Sequence, residues 1–315
     1  MKRWLWAMVS LVLCGGMVGC RAVATSFSRS GCALDTAVAV TIYDNISQEK
    51  AEEALTACFN EIERLEALLS ISRDGSDVTR LNTAAGNPVA ISPETAEVLW
   101  QAKRYAELSD GAFDLTVRPI TALWDFKAEN PAVPAKEMLS QAAKAVDYRQ
   151  LMLTNTTAQL SANGAVDLGG IAKGYIADAV CRVLKEKGVT SALIDLGGNI
   201  VMCGNKKGEP FRIGVKDPFD TTRLCAVITG EDSSVVTSGV YERGFTVDGV
   251  RYHHILDPKT GMPVDNGLAS VTVVCRSSAM ADAFSTACFV LGEEKGMALV
   301  QSQDNVEALF IRTDG

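Results

Sequence analysis

Residues 166–203, VDLGGIAKGYIADAVCRVLKEKGVTSALIDLGGNIVMC, read as a short strand, a glycine pair, a helix, a strand, a second glycine pair and another strand. Gly169-Gly170 joins the strand around Val166 to a helix expected over Ile171–Lys187. Gly197-Gly198 separates strands expected over Ser191–Leu196 and Ile200–Cys203, and so short a link reads as a tight turn or a bulge. A regular βαβ repeat therefore does not develop. Further strands follow at Phe211–Val215, Leu224–Ile228, Ser234–Thr237, Phe245–Val247 and Ser270–Cys275. Helices are expected over Ser278–Leu291 and Glu293–Ser302, before a last strand at Val306–Ile311. Upstream, alternation in Cys32–Tyr43 predicts one strand and apolar spacing in Ser47–Leu69 a long helix. Ser92-Pro93-Glu94 opens a helix that Asp110-Gly111 closes, and another spans about Lys136–Ala145. Mixed elements without a regular repeat predict an α+β fold.

The chain has 315 residues, 47% apolar and 22% charged, a balance that can bury a real core and excludes disordered, collagen-like and low-complexity classes. At this length one core nears its practical limit, so two intimately packed lobes about a cleft are expected. Thirty basic against 38 acidic residues leave a formal charge of −8, which disfavours a nucleic-acid partner. An anionic ligand would need a local device, such as a helix N-terminus or a bound cation.

Lys2 and Arg3 precede an uncharged apolar run from Trp4 to Val18, the pattern of an export signal rather than a permanent span. Met17-Val18-Gly19-Cys20 resembles the bacterial lipobox, which makes 1–19 a lipoprotein signal peptide and Cys20 the lipidation site. A plain signal peptide or an uncleaved anchor is the alternative. Residues 20–31 then read as a polar, lipid-anchored tether, and 32–315 as the folded body, held at the extracytoplasmic or periplasmic face of a bacterial membrane. Seven cysteines follow Cys20, an odd number with no C-x-x-C and no metal-ligand spacing. They read as core residues, with one disulfide left open by the export signal.

The two histidines, His253 and His254, are adjacent on a strand-like run before Asp257-Pro258-Lys259-Thr260-Gly261. Strand alternation points them to opposite faces, so at most one serves a given cleft as a base near neutral pH. The competing reading is a histidine satisfied by the carbonyls of that turn. Asp282, Ser285 and Thr286 share one helical face and offer hard oxygen ligands suited to magnesium. Alternatively Ser278 caps that helix, with Asp282 complementing its positive end. Asp167, Gly170 and Lys173 surround the strand-to-helix turn, where free N–H groups and an ammonium could meet an anion, or the glycines only form a left-handed turn. Ala112, Phe113 and Asp114 follow a helix end and could grip a heteroaromatic ring, or Phe113 only dips into the core.

In this order, ALDTAVAVTIY, SDGAFDLTVRPITALW, VDLGGIAKGYIAD, IDLGGN, VTSGVYER, HHILDPKTGMPV and ADAFSTA resemble the ApbE family of flavin transferases. The resemblance implies FAD in a cleft between the lobes and transfer of its FMN moiety to a Thr or Ser hydroxyl of a redox protein, with release of AMP. It implies Mg2+ held by Asp282, Ser285, Thr286 and the Gly170 carbonyl. FAD would be contacted by Leu34, Ser72, Ala112, Phe113, Asp114, Asp167, Lys173 and His254, with His254 activating the acceptor hydroxyl and His253 a bystander. The acceptor would carry a D-x-x-S/T-G-A-S/T segment. Asp35 is an unexplained departure from the family's first-strand pattern, and Ser72 stands where many members place a tyrosine against the ring. A small residue there makes Mg-dependent hydrolysis of FAD to FMN and AMP one alternative outcome. A non-catalytic flavin- or solute-binding lipoprotein is another.

Overall fold

The computed structural model describes residues 26–315; the signal segment and Cys20 lie outside them. The alternation that predicts one strand at Cys32–Tyr43 is folded into a hairpin, β1 (Phe27–Ala33) and β2 (Thr36–Ile42). Leu34 and Asp35 turn the chain with φ of 54° and 58°, the left-handed pair that a two-residue hairpin loop requires. Turn geometry thus accounts for Asp35, which also pairs with Lys127 at 3.1 Å. The same hairpin corrects the tether boundary. Residues 27–31 belong to the fold, because Phe27 to Ala33 pair in continuous antiparallel register with Ile42 to Thr36.

After the hairpin come α1 (Gln48–Leu69), α2 (Asp77–Asn82), β3 (Val89–Ala90), α3 (Pro93–Leu108), α4 (Arg118–Thr121) and α5 (Lys136–Ala143). Ser47 and Ser92 cap α1 and α3 by accepting from Lys50 N and Thr95 N. β4 (Met152–Leu153) and β5 (Thr157–Gln159) form a small sheet with β3. Val166 lies in no strand. The side chain of Asn82 grips its backbone instead, donating to Val166 O at 2.8 Å and accepting from Val166 N at 2.7 Å. α6 (Ala172–Glu186), β6 (Ala192–Leu196) and β7 (Asn199–Cys203) follow. Then come two hairpins separated by one strand: β8 (Phe211–Lys216) with β9 (Leu224–Gly230), β10 (Ser233–Gly239), and β11 (Gly244–Val247) with β12 (Val250–His253). β13 (Leu268–Cys275), α7 (Ser278–Leu291), α8 (Glu293–Gln301) and β14 (Glu307–Arg312) complete the described chain.

The main sheet runs β1-β2-β6-β7-β10-β13-β14, and every neighbouring pair in it is antiparallel. The arrangement is α+β. Helices α1, α6 and α7 pack on one face of the sheet, burying Ile194, Val201, Val236 and Val273 with Leu55, Val180 and Phe284. On the opposite face β8 lays Phe211 and Ile213 against Met202 and Val235 in a smaller core. A third cluster, Ile120, Trp124, Leu139, Phe245 and Leu256, holds α4, α5 and the β11–β12 hairpin together. The indole N–H of Trp124 donates to Gly261 O at 2.9 Å and fixes that small lobe to the turn after the histidines.

Two of the cysteines are not free core residues. Cys181 of α6 and Cys203 of β7 face each other across the helix–sheet interface and are joined as a disulfide. Cys58, Cys275 and Cys288 are buried thiols, and burial pushes each thiol up to about 12. Among the described residues no helix is long and apolar enough to cross a membrane.

Candidate active site

Strand ends, helix starts and the two lobes leave a cleft of about 1150 Å3, more volume than a drug-sized ligand needs. Most of the residues singled out in the sequence line it: Leu34, Ser72, Ala112, Phe113, Asp114, Asp167, Gly170, Lys173, His254, Asp282 and Thr286. Ser285 and His253 do not.

α6 begins under the cleft. Ile171 occupies its N-cap and offers no side-chain cap, and Gly169-Gly170 lead into it; Ala172 N donates back to Leu168 O, so an anion arriving there meets the positive end of the helix dipole beside the Lys173 ammonium rather than a row of free N–H groups. A Cβ on Gly170 would stand 3.1 Å from the ring of Phe113, a tight contact that would press on that ring. Gly174 has a different cause. A Cβ on it would lie 2.2 Å from the carbonyl oxygen of Ser278, so this glycine permits the close crossing of α6 and α7. That crossing brings Asp282 onto the start of α6, where its carboxylate accepts from Gly174 N at 3.0 Å and from Lys173 Nζ at 3.3 Å.

α7 is capped by Ser277, one residue before Ser278, with the half-buried Asp178 accepting from Ser278 N and Ala279 N. Asp282 lies a turn further in and faces the cleft. Thr286, four residues on, presents a hydroxyl whose contacts within the protein are long, 3.5 Å to Ser238 Oγ and to Asp282 O. Its Oγ1 sits 3.6 Å from where a Cβ on Gly170 would stand. Ser285 turns away: its hydroxyl is fully buried and engaged with Ser238 Oγ at 2.8 Å and Asp282 O at 2.9 Å. Its offset of three from Asp282 puts it on the flank facing β10.

Among the described residues no three His, Cys, Asp or Glu cluster as a metal site. The oxygens at the α6–α7 crossing are one carboxylate, one hydroxyl and a glycine carbonyl. This set fits a hard divalent cation that keeps waters and takes its remaining ligands from a phosphate group. A positive charge is already held at this place, with the Lys173 ammonium 3.3 Å from both Asp282 Oδ1 and Gly169 O.

The histidines part as alternation requires. His253 is buried; its Nε2 donates to Val264 O at 2.9 Å, its Nδ1 accepts from Ile255 N at 3.3 Å, and its ring meets Phe289 edge-on. The Asp257 turn does not satisfy either histidine. His254 opens onto the cleft with Nδ1 3.3 Å from Arg243 O. A carbonyl can only accept, so Nδ1 carries the proton and Nε2 keeps its lone pair. Burial, reinforced by the nearby charges of Arg243 and Lys173, pushes His254 down to about 4. At neutral pH the ring is a free base.

Asp114 and Asp167 line the cleft but are braced from within. Asp114 accepts from Thr116 N and Oγ1 and from Tyr148 N, and burial raises its carboxyl above the ordinary range. Asp167 accepts from Gly169 N at 2.9 Å and Thr121 Oγ1 at 2.7 Å, which shapes the glycine turn. Both act first as struts for the loops that carry Phe113 and Gly170. Leu34 and the exposed Ser72 stand on the rim, where Ser72 hydrogen-bonds only to Ser70.

The sequence assigned no role to Asn199, Ser238, Glu242 or Arg243, which also line the cleft. Asn199 is 3% exposed and its amide nitrogen has no hydrogen-bond partner. IDLGGN and VTSGVYER were the available signals, but neither contains an isolated reactive group to draw attention.

A model of the family described as the ApbE family matches residues 34–310. A FAD:protein FMN transferase of Treponema pallidum is 38% identical over 331 residues, covering 99% of this chain and 91% of that protein. One from Klebsiella pneumoniae is 39% identical, covering 82% of this chain and 83% of its own length. Among solved structures, the ApbE protein of Thermotoga maritima superposes with a TM-score of 0.85 at 33% identity, covering 92% of this chain and 96% of that one. The flavin transferase ApbE of Vibrio cholerae gives 0.82 at 32% identity, covering 92% and 94%.

Proposed function

The chain belongs to the ApbE family, and from that membership and the cleft we propose that it is a transferase that moves the FMN half of FAD onto a Thr or Ser hydroxyl of a second protein, releasing AMP. The observation that carries the reading is the presentation of His254: a neutral ring, held by Arg243 O and aimed into the cleft that Lys173, Asp282 and the start of α6 share.

In this scheme FAD lies along the cleft with its diphosphate at the α6 N-terminus. Lys173 and the backbone there neutralise phosphate oxygens. Nε2 of His254 takes the proton of the acceptor hydroxyl as its oxygen attacks the phosphorus of the FMN half. The P–O bond to the AMP half breaks and AMP leaves with that electron pair. Asp282, Thr286 and the Gly170 carbonyl would hold Mg2+, which when bound would offset charge on the diphosphate.

The proposed acceptor is a redox protein bearing a D-x-x-S/T-G-A-S/T segment. We further place the enzyme on the extracytoplasmic face of a bacterial membrane through acylated Cys20. Ser72 supports a second outcome from the same site: a small, exposed rim residue leaves the cleft open to water, which would turn FAD into FMN and AMP. Incubation with FAD, Mg2+ and an acceptor bearing that segment, followed by mass spectrometry, tests the reading. An acceptor heavier by one esterified FMN supports transfer, free FMN with unmodified acceptor supports hydrolysis, and unchanged FAD rejects both.

A further inference from the structure

Three of the large apolar side chains most exposed to solvent among the described residues sit on one element, the β8–β9 hairpin: Phe219 at 59%, Leu224 at 59% and Val227 at 47%. Solitary exposed apolar residues are ordinary, but a group on one small element marks an interaction surface. This hairpin is a two-stranded sheet of its own, joined to no third strand. Its inner face needs no further cover, because Phe211, Ile213 and Val215 are already buried.

Register connects the exposed face to the cleft. Val227 is directly opposite Gly214, Leu224 opposite Lys216, and Thr229 opposite Arg212. Cross-strand partners share a face, so the apolar residues of β9 lie beside Arg212, Gly214 and Lys216, and those three line the cleft. Gly214 keeps the surface low: a Cβ there would stand 2.7 Å from the Leu224 side chain, which lies across it. β8 lines the cleft along Arg212–Lys216, Ile213 and Val215 included, and the exposed apolar side chains of β9 meet that rim where Leu224 lies against Gly214, between a guanidinium and an ammonium.

Resting on the transferase reading above, we propose that this hairpin face is the docking surface for the acceptor protein. The acceptor lays an apolar, extended segment across Phe219, Leu224 and Val227, a carboxylate of that segment meets Arg212 or Lys216, and the hydroxyl beyond it enters the cleft toward His254. A protein substrate fits better than a lipid surface. The loop between the strands carries Asp217 and Asp220 against Arg223, next to Lys216 at the end of β8, and the chain as a whole carries −8, whereas binding to anionic lipid calls for a basic cluster.

The test uses the mature soluble chain, FAD, Mg2+ and a small carrier protein bearing a D-x-x-S/T-G-A-S/T segment. Phe219→Ser, Leu224→Ser and Val227→Thr, singly and together, alter surface positions that do not line the cleft. The expected result is a rise of roughly tenfold or more in the KM for the carrier in the triple variant, with FAD affinity and the water-driven release of FMN unchanged. A photo-crosslinking residue at position 219 should couple to the carrier. An unchanged carrier KM with no crosslink overturns the docking surface while leaving the transferase reading intact. A wild-type enzyme that never modifies the carrier defeats that reading and the docking surface with it. Dissociation of a dimer by the triple variant, or loss of co-sedimentation with phosphatidylglycerol vesicles, would assign the patch to a second copy or to lipid and overturn the proposal.

Discussion

Nδ1 of His254 lies 3.3 Å from the carbonyl oxygen of Arg243, and this one contact fixes which nitrogen of the ring can act as a base. His254→Ala is expected to lower transfer by about 10²- to 10⁴-fold, the usual loss for a general base, with little change in thermal stability. His253→Ala should do the reverse, because it removes a ring packed on Phe289 and bonded to Val264. Equal kinetic losses in the two variants would contradict the assignment.

The pH dependence follows from the same ring. Burial pushes His254 down to about 4, so it stays neutral far below the ordinary imidazole range near 6.5. The acid limb of kcat/KM for transfer should therefore fall near pH 4 to 5, and a limb near 6.5 would count against it. The sign for stability agrees: a depressed folded-state pKa contributes fully above about 6.5 and is lost as pH falls toward 4.

Asp282→Asn keeps an oxygen to accept from Gly174 N but removes the negative charge. The variant should fold and melt within a few degrees of the parent. In calorimetric titration with Mg2+ alone it should show no saturable binding where the parent does, and turnover should drop by about 10²-fold or more. Retained magnesium binding would take Asp282 out of the ligand set.

Asn199→Leu separates binding from folding. The amide is buried with an unpartnered nitrogen, and a buried unsatisfied polar group costs about 1–3 kcal/mol. Replacing it with an apolar side chain of similar size should leave the melting temperature equal or higher, while the affinity for FAD, read by flavin fluorescence, falls. A lower melting temperature with unchanged affinity would make Asn199 a structural residue.

Gly174→Ala tests the helix crossing. The new methyl would collide with the Ser278 carbonyl at 2.2 Å, and neither backbone can yield without moving α7. A loss of about 1–3 kcal/mol or more is expected, together with weaker magnesium binding because Asp282 rides on the displaced helix. Chemical denaturation of the two proteins measures the first, and calorimetry the second.

Much of this was legible in the chain. The helices could be read because their apolar spacing and serine caps are local signals, and α1 and α3 lie close to where Ser47 and Ser92 put them. The gathering of Gly170, Lys173 and Asp282 was visible only through the family motifs, since their closeness depends on two helices separated by about a hundred residues in sequence. Local patterns failed where a side chain replaced backbone pairing, as Asn82 does for Val166, and where a turn interrupted an alternating run without a glycine, as at Leu34-Asp35. The contact of the Ser285 hydroxyl with Ser238 of β10 was likewise hidden, because an offset of three residues specifies a flank only loosely. The disulfide between Cys181 and Cys203 joins a helix to a strand, and spacing alone does not reveal such a pair.

The early start of β1 sets a leash. With Cys20 acylated, only the seven residues 20–26 would separate the lipid from the first paired residue, Phe27, and fully extended they reach no more than about 25 Å. The catalytic body would then patrol a thin shell above the bilayer, and a hydroxyl carried on a domain standing well clear of that shell would be out of range however well its sequence matched.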